Sequence, residues 1–249
     1  MLNYIKGEIY KVIKRPYLFV ITFALGIGCL FIGGVLPKLL MAESILNLTR
    51  YGILSISNLL VIGINAILLI FLPIFTEDFR NKTFKNLVNV NLSRKQMFLA
   101  KYIVQLIMAV IMAIILFLFL GVAIQMLPPG EGYSNSMFIG FFIKLFSTIP
   151  CFATGIAIID LLAILVKKEI LICVIYYYGY IQIYAIIMFM LYRSSNTILR
   201  VIFMPAQIGN LFYNEFSVSA CLLTAITGLV YSTLLVFNLN LMAKKAEIY

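Results

Sequence analysis

Long apolar runs set the limits on what this chain can fold into. The stretch from Tyr17 to Leu36 carries no Asp, Glu, Lys or Arg, and five further long apolar stretches follow it, three of them also free of charge. A helix needs about 20 apolar residues to cross the hydrocarbon core of a bilayer. With no water there to satisfy backbone groups, runs this long select helices over strands. Charged residues make up 11% of the 249 positions and mean hydropathy is +1.08. A soluble domain carries roughly 25% charged residues. The expectation is an all-α polytopic membrane protein with six transmembrane helices, at about 17–36, 52–75, 101–127, 138–166, 170–191 and 218–242. They fill residues 1–249 as a single transmembrane domain and leave no room for a large soluble one.

Before the first span, residues 1–16 read as an amphipathic helix. Leu2, Ile5, Ile9, Val12 and Ile13 share one face, while Lys6, Glu8, Lys11, Lys14 and Arg15 take the other. That is the pattern of a helix lying in the interface with its basic face toward anionic lipid headgroups. Pro16 breaks it. The run that follows is too long for a signal-peptide core, and no A-x-A site follows it. Near the other end, residues 192–217 are too interrupted to span, by Arg193, Arg200, Pro205, Gly209 and Asn210, and too apolar for a free loop. An outer re-entrant hairpin before the last span fits.

Charge gives the orientation. Residues 1–16, 76–101, 167–169 and 243–249 hold fourteen of the nineteen Lys and Arg residues. The positive-inside rule puts those segments and both termini in the cytoplasm. The net charge of +10 therefore reports topology and does not call for a nucleic-acid partner.

The longest polar interruption is Thr76 to Lys101, with six of those cations. Phe84, Leu87 and Val88 fall at i, i+3 and i+4, one apolar stripe on a short helix that could lie on the membrane or dock on a partner. Ser93 and Gln96 form an S-x-x-Q capping box, with Leu92 and Met97 placed as its hydrophobic staple. A new helix is expected to start at Arg94 and run into the third span. A capped helix behind a surface helix is suited to passing force; the plainer reading is a solvated loop whose charges fix topology.

Catalytic chemistry has little to work with. No G-x-x-x-x-G-K-[ST] loop is present, so ATP is not bound by a P-loop. There is no His, the commonest metal ligand and neutral-pH base, and no H-E-x-x-H pair. Cys29, Cys151, Cys173 and Cys221 stand alone in apolar runs and read as small buried residues rather than a metal or disulfide set. Asp160 is the one acid inside the spans. Placed seven residues before Lys167, it lies ~10 Å from the inner interface, shallower than a midplane ion site, and is expected to pair with a Lys or cap a helix. The neutral polar groups are Asn58 and Asn65 on one face of span two, and Tyr177, Tyr180 and Tyr184 as a stripe on span five. They suit either a path for an amphipathic substrate or interhelical hydrogen bonding.

Taken together, the chain resembles the ABC-2-type permeases, membrane subunits of one class of ABC exporter. The resemblance is carried by Asp78-Phe79-Arg80-Asn81-Lys82-Thr83-Phe84-Lys85, by Leu92-Ser93-Arg94, by Lys101, and by Ile5-Lys6-Gly7-Glu8 with Lys14 as an interfacial elbow helix. Asn91-Leu92 stands where the family often has a Pro before the Ser-Arg turn. The resemblance implies a half-transporter in a bacterial plasma membrane. Two permease subunits, alike or homologous, would pair above two separate P-loop ATPase subunits, and ATP and Mg would bind there. It makes residues 76–93 the coupling segment, with Asp78, Phe79, Arg80, Thr83, Phe84, Leu87, Val88, Ser93 and Arg94 at the ATPase interface. It also points to export of antimicrobial peptides such as lantibiotics. The alternatives are a non-transporting sensor or assembly protein and, behind it, an ion-coupled carrier using Asp160.

Overall fold

In the computed structural model every regular element among the described residues is helical. Those residues are 1–34, 49–55, 67–80, 93–166, 168–183, 186, 187, 190, 208, 211 and 216–245. The elements are α1 (Leu2–Ile13), α2 (Pro16–Gly34), α3 (Arg50–Ser55), a 3-10 turn (Leu68–Phe71) continuing into α4 (Leu72–Arg80), α5 (Arg94–Met126), α6 (Asn135–Ser147), α7 (Ile149–Val166), α8 (Glu169–Val174) extended by a π-helical segment (Ile175–Gln182), and α9 (Val218–Lys245).

Three helical stretches are long and apolar enough to cross a membrane: Lys95–Met126, Asn135–Val166 and Val218–Met242. The pair Leu2–Ile13 and Pro16–Phe31 makes a fourth candidate, bent by 58°. That bend is the elbow expected at Pro16, whose ring and missing N–H end α1. The interior of the second expected span and most of residues 192–217, the expected hairpin, lie outside the described residues. The fourth expected span divides at Thr148, where the hydroxyl bonds back to Leu145 O at 2.7 Å. Pro150, in the first turn of α7, cannot donate to the preceding helix, so the break falls just before it.

Packing follows small residues. α2 lies along α5, and a Cβ at Gly26 would come within 2.6 Å of the Phe119 ring, so the glycine admits that ring. Phe23 meets the same ring edge-on at 6.1 Å. α7 lies along α9, where a Cβ at Gly228 would stand 2.8 Å from Cys151 N. At this crossing the Thr154 hydroxyl donates to Gly228 O at 3.1 Å. Close approach through small residues, with a polar side chain bonded across it, is how helices associate in lipid. α7 is the innermost helix, and its buried side chains run from Cys151 to Ile164. By contrast α9 turns Leu222, Ile226, Leu229 and Phe237 outward, as a helix bordered by hydrocarbon does.

Gly228→Leu pushes a side chain into backbone. It is expected to destabilise the chain by about 1–3 kcal/mol. Thermal exposure of the buried Cys151 and Cys221 thiols to a fluorogenic maleimide will read this as an earlier transition.

Candidate coupling site

The basic loop meets the membrane domain through two stems, the end of α4 and the start of α5. The second stem is set locally. Ser93 adopts an extended backbone and its hydroxyl accepts the Gln96 N–H at 3.4 Å, while Gln96 Oε1 accepts the Ser93 N–H at 3.0 Å. This is the expected capping box, and it fixes where and at what angle the 33-residue α5 begins. Met97, one half of the expected staple, is fully buried.

The first stem is tied down from three directions. Phe75 of α4 stacks on Phe98 of α5 with ring centres 5.2 Å apart. Thr76 donates to Glu169 Oε1 of α8 at 2.6 Å. Arg15, at the elbow, forms an ion pair with Glu77. From α5, Lys101 Nζ donates to Ile74 O at 2.8 Å and Gln105 Nε2 to Phe71 O at 3.1 Å. Arg15, Thr76, Glu77, Phe98, Lys101 and Glu169 come from segments that charge counting grouped on one side, and Phe75 and Gln105 adjoin them, so the stems share one polar junction.

The opposite end has its own tie. Arg50 donates to Leu127 O at 2.8 Å and Gln125 O at 2.7 Å, closing the last turn of α5, and its guanidinium lies 5.3 Å from the Tyr133 ring centre. Arg50 and Tyr133 both come from loops that the charge pattern assigned to the other side.

Two charged groups differ from the sequence reading. Glu8, expected on the outward polar face of α1, is 3% exposed. Its carboxylate takes Lys11 at 2.7 Å on one oxygen and stands 4.0 Å from Lys101 Nζ on the other. The inward face of α1 is rotated off the apolar stripe toward Glu8 and Val12, leaving Leu2 and Ile13 exposed. Lys101, expected where the third span meets the interface, is buried at 1% exposure. A signal for both was present: Glu8 is the one acid in residues 1–16, and Lys101 stands one turn before Gln105 on an otherwise apolar helix.

Asp160 is fully buried on α7. Gln105 stands beside it and Lys101 is within electrostatic reach, yet neither carboxylate oxygen meets a donor in hydrogen-bonding geometry among the described residues.

The other residues singled out divide as follows. Asp78, Phe79 and Arg80 end α4 and Arg94 opens α5, with their side chains outside the described positions. Thr83, Phe84, Leu87, Val88, Asn58, Asn65 and Tyr184 lie outside the described residues. Tyr177 and Tyr180 do not form a stripe. The i→i+5 pattern of a π-helix widens the turn and brings residues four apart onto one face. Tyr180 accordingly packs on the buried Tyr176, ring centres 5.1 Å apart, while Tyr177 faces outward against Tyr178.

The described residues form an all-helical domain with three helices, or four counting the bent pair, long and apolar enough to cross a membrane. Comparison narrows this: a family model described as ABC-2 family transporter protein matches residues 4–181. That match covers well over half of the chain, and the chain belongs to the ABC-2 transporter family, whose members are membrane components of ABC transporters. No curated protein matches it.

Ser93→Ala removes the cap acceptor and is expected to cost about 1 kcal/mol of local stability. Amide exchange will quicken in the first turn of α5 and stay unchanged near its middle.

Proposed function

We propose that this chain is the permease subunit of an ATP-driven ABC exporter, moving an amphipathic substrate, an antimicrobial or other peptide, out of the cell or the membrane. Its energy comes from a separate P-loop ATPase subunit that binds ATP and Mg. In this reading the chain has six spans and an outer re-entrant hairpin, and pairs with a second permease subunit. Both termini lie in the cytoplasm of a bacterial plasma membrane.

Support comes chiefly from the two stems. α4 is joined to the elbow at Arg15, to α5 and to α8 by charged and hydrogen-bonded side chains, and α5 starts at a fixed cap. A displacement of residues 81–92 therefore cannot dissipate in slack backbone. It moves α4 and the long α5 together, and α7 follows through its contacts with both. Family membership supplies the reason for a displacement: ABC-2 members work with ATPase subunits. In the proposed cycle, ATP-driven closure of the partner pushes on Phe84 and Leu87. The moved helices then change the packing between the two permease halves and release the substrate. The outward Tyr177, together with Asn58 and Asn65, offers neutral polar and aromatic contacts of the kind an amphipathic peptide takes.

Phe84→Asp and Leu87→Asp are expected to lower substrate efflux roughly tenfold while the assembled complex continues to hydrolyse ATP. Efflux assays on vesicles, with released phosphate measured in parallel, check this. Unchanged efflux in both variants favours a non-transporting role. Efflux that persists without ATP but stops in Asp160→Asn favours an ion-coupled carrier.

A further inference from the structure

The start of α5 and the end of α9 leave a cleft between them. It measures about 290 Å³ and is lined by Lys95, Gln96 and Leu99 of α5 and by Phe237, Asn240 and Leu241 of α9. Its level is set by the helices themselves: the membrane-crossing stretch Lys95–Met126 begins there and Val218–Met242 ends there. That is the boundary between hydrocarbon and water, where phospholipid headgroups lie. One wall is apolar. Phe237 is 63% exposed and Leu241 44%, and both continue the outward face of α9 that acyl chains cover. The other wall is basic. Lys95 is exposed and pairs with no acid among the described residues. Arg94 adjoins it in the chain, Lys244 and Lys245 end α9, and the first turn of α5 adds the positive end of a 33-residue helix. Asn240 brings an amide whose Oδ1 is buried and meets no donor among the described residues, a costly state unless a bound molecule supplies one.

We propose that this cleft holds an anionic phospholipid of the leaflet on the basic side. Its phosphate lies at Lys95 and the first turn of α5, an acyl chain lies along Phe237 and Leu241, and a headgroup hydroxyl, as in phosphatidylglycerol, donates to Asn240. Basic pockets between spanning helices at headgroup level are where such lipids are recognised. A zwitterionic lipid fits the apolar wall equally well but sets its own ammonium beside Lys95. A free phosphate leaves the apolar wall unused, and an acidic protein segment would have to lie against a wall that faces hydrocarbon. The bound lipid ties the start of α5 to the end of α9 and so braces the domain at the foot of the loop. The proposal rests on the membrane-crossing helices and not on the exporter reading; its test uses neither ATPase nor transported substrate.

The chain contains no Trp, so Phe237→Trp places a single reporter in the cleft wall. The full chain carrying it is reconstituted in phosphatidylcholine vesicles that hold either brominated phosphatidylglycerol or brominated phosphatidylcholine at equal mole fraction. The quenching is expected to give a preference of about fivefold for phosphatidylglycerol, the size that one basic side chain gives near a membrane surface. Lys95→Gln is expected to remove most of that preference. Lys168→Gln, an exposed lysine of the same basic side that does not line the cleft, is expected to leave it unchanged. Equal quenching by the two brominated lipids overturns the proposal. So does an equal loss in the two lysine variants, which is general attraction to a basic side. Inorganic phosphate, added against chloride of the same ionic strength, is expected to change nothing; relief of quenching by phosphate makes this a free-anion site and overturns the lipid. A second reading needs no reporter. In detergent micelles, phosphatidylglycerol is expected to raise the melting temperature, followed by thiol exposure of Cys151 and Cys221, by about 2 °C or more over phosphatidylcholine, and Lys95→Gln to abolish the rise. No rise overturns the proposal even if the Phe237→Trp chain does not fold.

Discussion

A lysine buried where three helices meet is the interaction on which the rest of this structure depends. Burying an ammonium is costly unless it is paired and hydrogen-bonded. Lys101 is held in place by Ile74 O and the Glu8 carboxylate, and satisfying it obliges α1 and α4 to lie against α5. The elbow helix is therefore more than a float in the headgroup layer. Its apolar residues Ile5, Ile9 and Val12 pack on the core, and its one acid reaches the buried cation. Arg15–Glu77 and Thr76–Glu169 extend the same polar junction to the flanking helices.

Within lipid, apolar contact between helices gains little, since hydrocarbon is as apolar as leucine. The contacts that can hold this domain together are those lipid cannot imitate: glycine-mediated approach, as at Gly26 and Gly228, and internal polar bonds. Polar bonds are concentrated at one end and glycine crossings along the length. The resulting unit is anchored beneath the loop, while α9 has one face against α7 and the other open. A domain of this kind can respond to a push at its anchored end by shifting helices as bodies.

How much of this was legible in the sequence depended on the range of the interaction. The capping box at Ser93 and Gln96 was legible because all its partners lie within four residues, and the elbow was legible because a proline enforces it. The apolar runs of α5, α6–α7 and α9 were legible from length alone. The inward turn of Glu8 was hinted at only by its being the one acid in residues 1–16, because its partner Lys101 is remote along the chain and periodicity assigns an acid to the wet face by default. The tyrosine stripe failed for another reason. The stripe requires 3.6 residues per turn, and the π segment at Ile175–Gln182 rotates Tyr177 away from Tyr180. Family membership was legible in a few short motifs because they combine local capping with a pattern of charge and aromatic residues.

That this chain takes its push from another protein through residues 81–92 is tested most directly by affinity capture of the full chain from its native membranes, with that segment either intact or replaced by a Gly-Ser linker of equal length. Material captured with the intact segment should hydrolyse MgATP, and material captured with the linker should lose that activity while the chain remains inserted in the membrane. Full ATPase recovery with the linker, or a chain that drives efflux from vesicles holding no nucleotide, would contradict it.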